Sequence, residues 1–292
     1  MRRLLISMGL MMLGAGGLVG YGAEATNAPP PQTVLSNAAW QVGEKLVYRL
    51  YWGYVPVGTA TITTEWVEEQ GRRLLAIRLR TVSNKVIEKI YPVDDSIESL
   101  IDPGPFLPVR FTKNLSEGSQ RYVEVTDFDH AHGVAHWESK VSGKKKEIKI
   151  EADTRDIPSL MYWLRSRRFT PGSKEHFQVM ADEKLYDLWV NTIRRENVKV
   201  GRFGAVPCLR IEPDAAFNGL FVRKGRIWVW VSDDARCLGT KIVASVPVAN
   251  VRGYLCSVYG PGDDTWVRTT RQNEAESCDT PPAESPPAAT NR

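Results

Sequence analysis

Apolar and polar residues alternate with a period of two along most of this chain, from Val42 to Val267. In KLVYRLYW (45–52) every even-numbered position is aliphatic or aromatic. Successive side chains of a β-strand point to opposite faces, so this pattern predicts half-buried strands. It recurs in TATITTEW (59–66), RLLAIRLR (73–80), SIESLI (96–101), PVRFTK (108–113), RYVEVTDF (121–128), KEIKIE (146–151), HFQVMA (176–181), LYDLWV (185–190), CLRIEP (208–213), RIWVWV (226–231), TKIVAS (240–245) and RGYLCSVY (252–259).

Short turn sequences separate these segments, among them Asp102-Pro103-Gly104, Gly133, Gly143 and Gly172. A dozen or more short strands do not fit into one flat open sheet. The sequence therefore predicts a mainly β protein, built as an antiparallel β-barrel, a half-barrel or two packed sheets.

One segment departs from the period of two. In DTRDIPSLMYWLRSRRF (153–169), Asp156 can cap a helix, Pro158 suits its first turn, and the apolar stripe consists of Leu160, Met161, Trp163 and Leu164. We predict one short helix near residues 157–168. Its stripe should cover the concave side of the sheet, a reading that we favour over a membrane-active helix.

The first 25 residues have the features of a secretory signal peptide. Arg2 and Arg3 precede an apolar run that contains five glycines and ends at Ala23-Glu24-Ala25, a typical cleavage site. The run has no lipid-attachment cysteine after it. We predict a signal peptide (1–25), a flexible linker (26–39), one β-rich domain (40–268) and a disordered Pro-rich tail (269–292), exported in soluble form to a periplasm with no transmembrane segment in the mature chain. The net charge of +4 does not indicate a nucleic-acid partner.

Aromatic residues are the most informative candidates for a binding site. The chain has nine tryptophans, and in RIWVWVS the two faces of one strand are both apolar, with Trp228 and Trp230 on one of them. Core packing explains such residues in most proteins. The alternative is a cavity that binds an apolar or sugar ligand. Its predicted lining is Tyr48, Trp52, Trp163, Trp189, Trp228 and Trp230.

Acidic residues give an enzymatic alternative. Sequence signatures of common catalytic sites are missing, but Asp95 or Glu98 could act with Asp234 as the carboxyl pair of a glycan hydrolase. Two acids next to a turn more often bond to nearby backbone amides. A role in catalysis is thus the weaker interpretation, and the sequence indicates no cofactor.

Three of the four histidines lie in DFDHAHGVAHW (127–137). A two-residue turn at His132-Gly133 would pair Asp129 with His136 and Phe128 with Trp137 across a hairpin. This arrangement cannot supply the three or four converging ligands that zinc needs, so we predict no metal site.

Cys237 and Cys256 are the candidate disulfide, because a hairpin centred on Pro247 would bring them near each other. Buried thiols are the alternative, since the four cysteines show no zinc-binding spacing.

Four stretches resemble the bacterial exported proteins grouped as domain of unknown function 3108. They are GEKLVYRLYWGYVPVGTATI (43–62), IYPVDDSIESLIDPGPFLPVRFTKNLSEG (90–118), RDIPSLMYWLR (155–165) and FVRKGRIWVWVSDDARCLGTKIVASVPVANVRGYL (221–255). The resemblance implies an envelope protein with an antiparallel β architecture, similar to lipocalins or to lipoprotein carriers. It supplies no catalytic residues.

Together these features favour a non-enzymatic periplasmic binding or carrier module. Its partner would be a lipid or another apolar ligand, or a protein of the cell envelope. A glycan-active hydrolase and a structural protein of envelope assembly remain the alternatives.

Overall fold

The structure, a computed structural model, describes residues 40–215, 226–245 and 250–260. In this part of the chain, 14 antiparallel strands form one sheet, in the order β8-β7-β6-β5-β4-β3-β2-β1-β14-β13-β12-β11-β10-β9. The mainly β prediction is confirmed. The predicted signal peptide (1–25), linker (26–39) and tail (269–292) lie outside the described residues.

The elements follow the predicted segments closely. The strands are β1 (Lys45–Trp52), β2 (Val55–Glu69), β3 (Arg72–Ser83), β4 (Asp94–Asp102), β5 (Leu107–Glu117), β6 (Gln120–Asp129), β7 (Val134–Ser139), β8 (Lys145–Lys149), β9 (Lys174–Ala181), β10 (Lys184–Lys199), β11 (Ala205–Ala215), β12 (Ile227–Ser232), β13 (Gly239–Ala244) and β14 (Val251–Tyr259). The α-helix, α1, is Ile157–Leu164, and short 3-10 turns lie at Ile87–Lys89 and Gly201–Phe203.

The sheet curves so that its two edges, β8 and β9, approach each other. Lys113 on β5 contacts Asp182 in the β9–β10 turn, and Lys146 on β8 lies 3.0 Å from Glu183 in the same turn. Met180 of β9 packs in one apolar cluster with β4 to β7. Among the predicted alternatives the observed sheet therefore corresponds to a half-barrel, with its apolar core on the concave side.

Helix α1 covers that concave side, as the sequence predicts. Ile157 and Leu160 pack against Leu188 and Val190 of β10. The predicted stripe is partly wrong, because Tyr162 is 1% exposed while Met161 and Trp163 are only partly buried. The helix lies in a concave surface that encloses it, so a tyrosine whose hydroxyl finds a partner can be buried more deeply than its apolar neighbours.

Asp156 caps α1 as predicted. Its backbone is extended, and its side chain accepts a hydrogen bond of 2.8 Å from the backbone N–H of Ser159. The other carboxylate oxygen accepts a hydrogen bond of 2.5 Å from the hydroxyl of Ser99 on β4. One buried carboxylate therefore both starts the helix and joins it to the sheet.

Substitution of Asp156 by alanine should lower the free energy of unfolding by about 1–2 kcal/mol, because it removes the cap and leaves two buried donors without an acceptor. The variant Asp156→Asn retains an oxygen for the Ser159 N–H and should lose less. Urea unfolding measures both. Equal losses in the two variants would contradict the capping role.

The hairpin between β6 and β7 differs from its prediction. Asp129 pairs with Val134, so the loop has four residues and the predicted pairs Asp129 with His136 and Phe128 with Trp137 are wrong. The reason is local, because the Asp129 carboxylate accepts a hydrogen bond from the His132 backbone N–H and stabilises a longer turn. Gly133 takes the positive φ of 65° that the turn requires.

Candidate functional site

A cavity of about 140 Å³ lies between α1 and the concave face of the sheet. Almost all of its lining is aliphatic or aromatic, and it comes from α1 on one side and from β1, β2, β10, β11, β12 and β13 on the other. The principal residues are Leu46, Ile62, Ile157, Leu160, Met161, Leu164, Leu188, Val190, Ile211, Val229, Val231 and Ile242. An engineered apolar cavity of similar size, about 150 Å³, stays free of water and binds benzene. This cavity can therefore hold a short hydrocarbon segment.

A buried polar cluster adjoins the cavity where α1 ends, at Tyr162 and Arg165 of its lining. Glu44, which is 1% exposed, accepts two hydrogen bonds from Arg165, of 2.6 and 2.9 Å. The hydroxyl of Tyr162 lies 3.3 Å from Glu44, and a guanidinium nitrogen of Arg236 lies 3.6 Å from it. Although burial acts against the charged form, the bonds to Glu44 raise the pKa of Arg165 above its usual range. This network fixes the end of α1 to the start of β1 and to the β12–β13 turn.

Tyr48 and Trp52 lie on the same face of β1 and contact two different cavities. Tyr48 lines the cavity beneath α1, where its hydroxyl donates a hydrogen bond of 3.0 Å to the carbonyl of Gly239. Burial raises the pKa of this hydroxyl well above its usual value, so it remains a neutral donor. Trp52 lines a second apolar cavity, also of about 140 Å³, near the β1–β2 turn.

The other four predicted aromatic residues do not line the cavity beneath α1. Trp228 and Trp230 point away from it, since Val229 and Val231, which alternate with them, line it. Trp230 donates to the carboxylate of Glu196.

Trp163 and Trp189 lie farther out. The ring centroid of Trp163 is 4.4 Å from the Arg155 guanidinium and 4.6 Å from that of Arg167. Trp189 is 39% exposed and packs on the ring of His176. The structure therefore does not bring the six predicted residues to one site.

The acids of the enzymatic alternative also lie apart. Asp95 points to the concave side of β4 and is 1% exposed, while Glu98 is on the opposite face and pairs with Arg78. Asp234 lies in the β12–β13 turn, where it accepts hydrogen bonds from the backbone N–H groups of Arg236 and Cys237. The three carboxyl groups thus do not share a cleft.

Asp95 instead pairs with Glu117, a residue that the sequence analysis missed. Glu117 is fully buried, and no donor of another residue in the described ranges reaches either of its oxygens. Burial and the negative charge of Asp95 both oppose ionisation of Glu117, so the two neighbouring carboxyl groups favour holding one proton between them. Burial, followed by the negative charge of Asp95, raises the pKa of Glu117 to about 8. The alternation of residues on β5 could have identified Glu117 as a buried residue. It places four side chains on the inward face: Phe111, Lys113, Leu115 and Glu117.

The histidines of the β6–β7 region are dispersed. His130 Nε2 donates a hydrogen bond of 3.0 Å to the Pro108 carbonyl, His132 lies 2.7 Å from Asp129, and His136 lies 3.9 Å from Glu147. Within residues 40–215, 226–245 and 250–260, no group of three or more His, Cys, Asp or Glu side chains is arranged to hold a metal ion.

The predicted disulfide is wrong. The hairpin of β13 and β14 forms, but the Cys237 sulfur lies 3.7 Å from the Arg167 carbonyl, and the Cys256 sulfur lies 3.6 Å from the carbonyl of Tyr254. Cys237 lines the cavity beneath α1, whereas Cys256 lies at a β-bulge of β14, opposite Val47 and Tyr48 of β1. Both cysteines are free thiols.

The described helix is too short to cross a membrane. The chain is similar in structure to a β-barrel-like protein with the domain of unknown function DUF1849 from Brucella abortus, with a TM-score of 0.49, 11% sequence identity, and coverage of 74% of this chain and 97% of that chain. It is also similar to a candidate lipoprotein from Parabacteroides distasonis, with a TM-score of 0.34, 8% identity, and coverage of 75% and 96%. No curated protein matches the sequence significantly.

Residues 47–255 match the family described as "Protein of unknown function (DUF3108)". This match includes α1, most of the half-barrel and the residues that line both cavities, apart from Leu46. The chain therefore belongs to the DUF3108 family.

Proposed function

We propose that this protein is a non-enzymatic binding or carrier module of the cell envelope, and that its ligand is a lipid or another molecule with an apolar chain. The observation that carries the proposal is the cavity of about 140 Å³ between α1 and the sheet. A cavity lined by aliphatic side chains offers a hydrocarbon segment dispersion contacts and removal from water, and it offers water no hydrogen bonds. The leader-like sequence of residues 1–25 supports export.

The polar groups where α1 ends favour a neutral chain end over a free anion. Arg165 is already neutralised by two hydrogen bonds to Glu44, and the Tyr48 hydroxyl donates to a backbone carbonyl. A carboxylate entering there would have to compete with Glu44 for the same guanidinium. The site is therefore suited to the methyl end of an acyl chain, with the headgroup outside.

Substitution of Val190 by phenylalanine should weaken binding of an environment-sensitive fluorescent fatty acid at least about 10-fold, because the larger ring occupies the space of the ligand. Val190 is 3% exposed and lines the cavity. The added volume enters an existing cavity, so the variant should stay folded. Probe titration measures the affinity, and native mass spectrometry after mild extraction identifies any lipid that copurifies.

Ile193→Phe is the matched control, since Ile193 lies on the same strand and is 42% exposed. It should bind the probe like the unmodified protein. The proposal fails if the unmodified protein takes up neither probe nor lipid, or if Val190→Phe binds as tightly as the control.

A further inference from the structure

Four of the most exposed large apolar side chains lie together at one end of the half-barrel. Tyr54 in the β1–β2 turn is 79% exposed, and Val55 at the start of β2 is 55% exposed. Val86 and Ile90 in the β3–β4 connection are 70% and 79% exposed. We call these four residues the apolar tip. Single exposed apolar residues need no explanation, but a contiguous exposed group commonly marks an interaction surface.

The two loops of the apolar tip are held side by side. The side-chain amide of Asn84 donates 2.6 Å to the carbonyl of Pro56, and its backbone N–H donates 2.9 Å to that of Val57. The Asn84 side-chain oxygen accepts from the backbone N–H groups of Val86 and Ile87, at 3.0 and 2.9 Å. These bonds fix the backbone that carries the tip, so its side chains are presented to solvent in a defined arrangement.

Basic residues surround the apolar tip. Lys85 and Lys89 are exposed in the same connection, which has one exposed acid, Glu88. The Arg252 guanidinium lies 5.1 Å from the ring centroid of Tyr54. Apolar side chains beside lysine and arginine are complementary to a bilayer with anionic headgroups, because the apolar groups enter the hydrocarbon boundary and the cations contact phosphates.

The apolar tip adjoins the second cavity. Ile90 belongs to both, and the cavity continues inward along Trp52, Val57 and Val93. Trp52 and Tyr48 are four residues apart on one face of β1, a separation of about 13 Å at the usual rise of a strand. The two cavities therefore lie along the same strand, one next to the tip and the other beneath α1.

We propose that the apolar tip docks the protein on an anionic lipid bilayer, so that a lipid chain can pass over Ile90 into the second cavity and on toward the cavity beneath α1. The inference rests on the proposed function, since it supplies the route by which a carrier would collect its ligand. Docking uses Tyr54, Val55, Val86 and Ile90 for insertion and Lys85 with Lys89 for the headgroups.

Vesicle flotation with the full chain tests this inference, using vesicles of phosphatidylcholine alone and with about one third phosphatidylglycerol. The unmodified protein should bind the anionic vesicles. The double variant Val86→Asp/Ile90→Asp should reduce its partition coefficient at least about 10-fold, because aspartate cannot enter the apolar boundary. Lys85→Gln/Lys89→Gln should reduce binding to anionic vesicles about 10-fold or more, and leave binding to neutral vesicles unchanged.

Trp66→Asp is the matched control, since Trp66 is 37% exposed near the opposite end of β2, eleven residues along the strand from Val55. This control should bind the vesicles as the unmodified protein does. All variants keep the same N- and C-terminal segments, so those segments cannot cause a difference in binding between variants. Loss of binding in this control, failure of the unmodified protein to bind vesicles, or self-association that depends on Ile90 would overturn docking. Probe binding in the cavity beneath α1 separates the two proposals, because the tip variants should retain it.

Discussion

Replacement of Glu44 by alanine should lower the free energy of unfolding by about 3–5 kcal/mol, the largest loss that we expect from any single exposed or buried charge in this protein. Glu44 is 1% exposed and Arg165 is 8% exposed. Alanine would leave the Arg165 guanidinium buried without its carboxylate. The attraction between two buried charges does little more than offset the free energy that both lose on leaving water. When one partner is removed, the other charge stays buried and its loss of hydration is no longer offset.

Asp94→Ala is the appropriate control for Glu44→Ala. Asp94 also accepts two hydrogen bonds from an arginine, Arg80, but the two side chains are 57% and 65% exposed. Water and salt screen this pair, so its loss should cost less than about 1 kcal/mol. Urea unfolding at neutral pH compares the two variants. Similar losses in both would show that burial of Glu44 does not determine its contribution.

The same substitution should affect ligand binding. Arg165 lines the cavity beneath α1 and follows the last helical residue, Leu164. Without Glu44 the end of α1 loses its connection to the start of β1, so the wall of the cavity becomes less well defined. We therefore expect weaker probe binding in Glu44→Ala even at temperatures where the variant is fully folded.

Features set by neighbouring residues were predictable from the sequence. The period of two located the strands, and Asp156 with Pro158 located the start of α1, because a capping side chain and the N–H group that donates to it lie within three residues. The contact of Glu44 with Arg165 was not predictable, since 121 residues separate them. It depends on how the whole sheet curves around the helix.

The tryptophan strand shows why the cavity lining was harder to predict. Both faces of RIWVWVS are apolar, so the period of two indicates a strand without indicating which face is inward. The β-branched face lines the cavity, and Trp228 and Trp230 cover the other side.

The prediction of the β6–β7 loop was wrong for a different reason. The Asp129 side chain competes with the ladder for a backbone N–H, and a turn type inferred from Gly133 alone does not include that competition.

The carboxyl pair of Asp95 and Glu117 makes stability depend on pH in the direction opposite to that of a salt bridge. Burial and the neighbouring Asp95 raise the pKa of Glu117 from 4.5 to about 8, so the folded state binds this proton more tightly than the unfolded state does. A carboxyl group of this kind contributes its full stability below the unfolded value. That contribution is lost as the pH rises through 4.5 toward the folded value.

Glu117→Gln should therefore remove a decline in stability as the pH rises from about 5 through the folded pKa of about 8, and above that pH the variant should be more stable than the unmodified protein. Glutamine has a similar shape but no charge to bury. Asp95→Asn removes the adjacent negative charge and should lower the pKa of Glu117, which moves the decline to lower pH. Urea unfolding at several pH values measures these differences directly. Parallel stability curves for Glu117→Gln and the unmodified protein would contradict a shared buried proton, and would mean that both carboxyl groups are ionised or that both reach water.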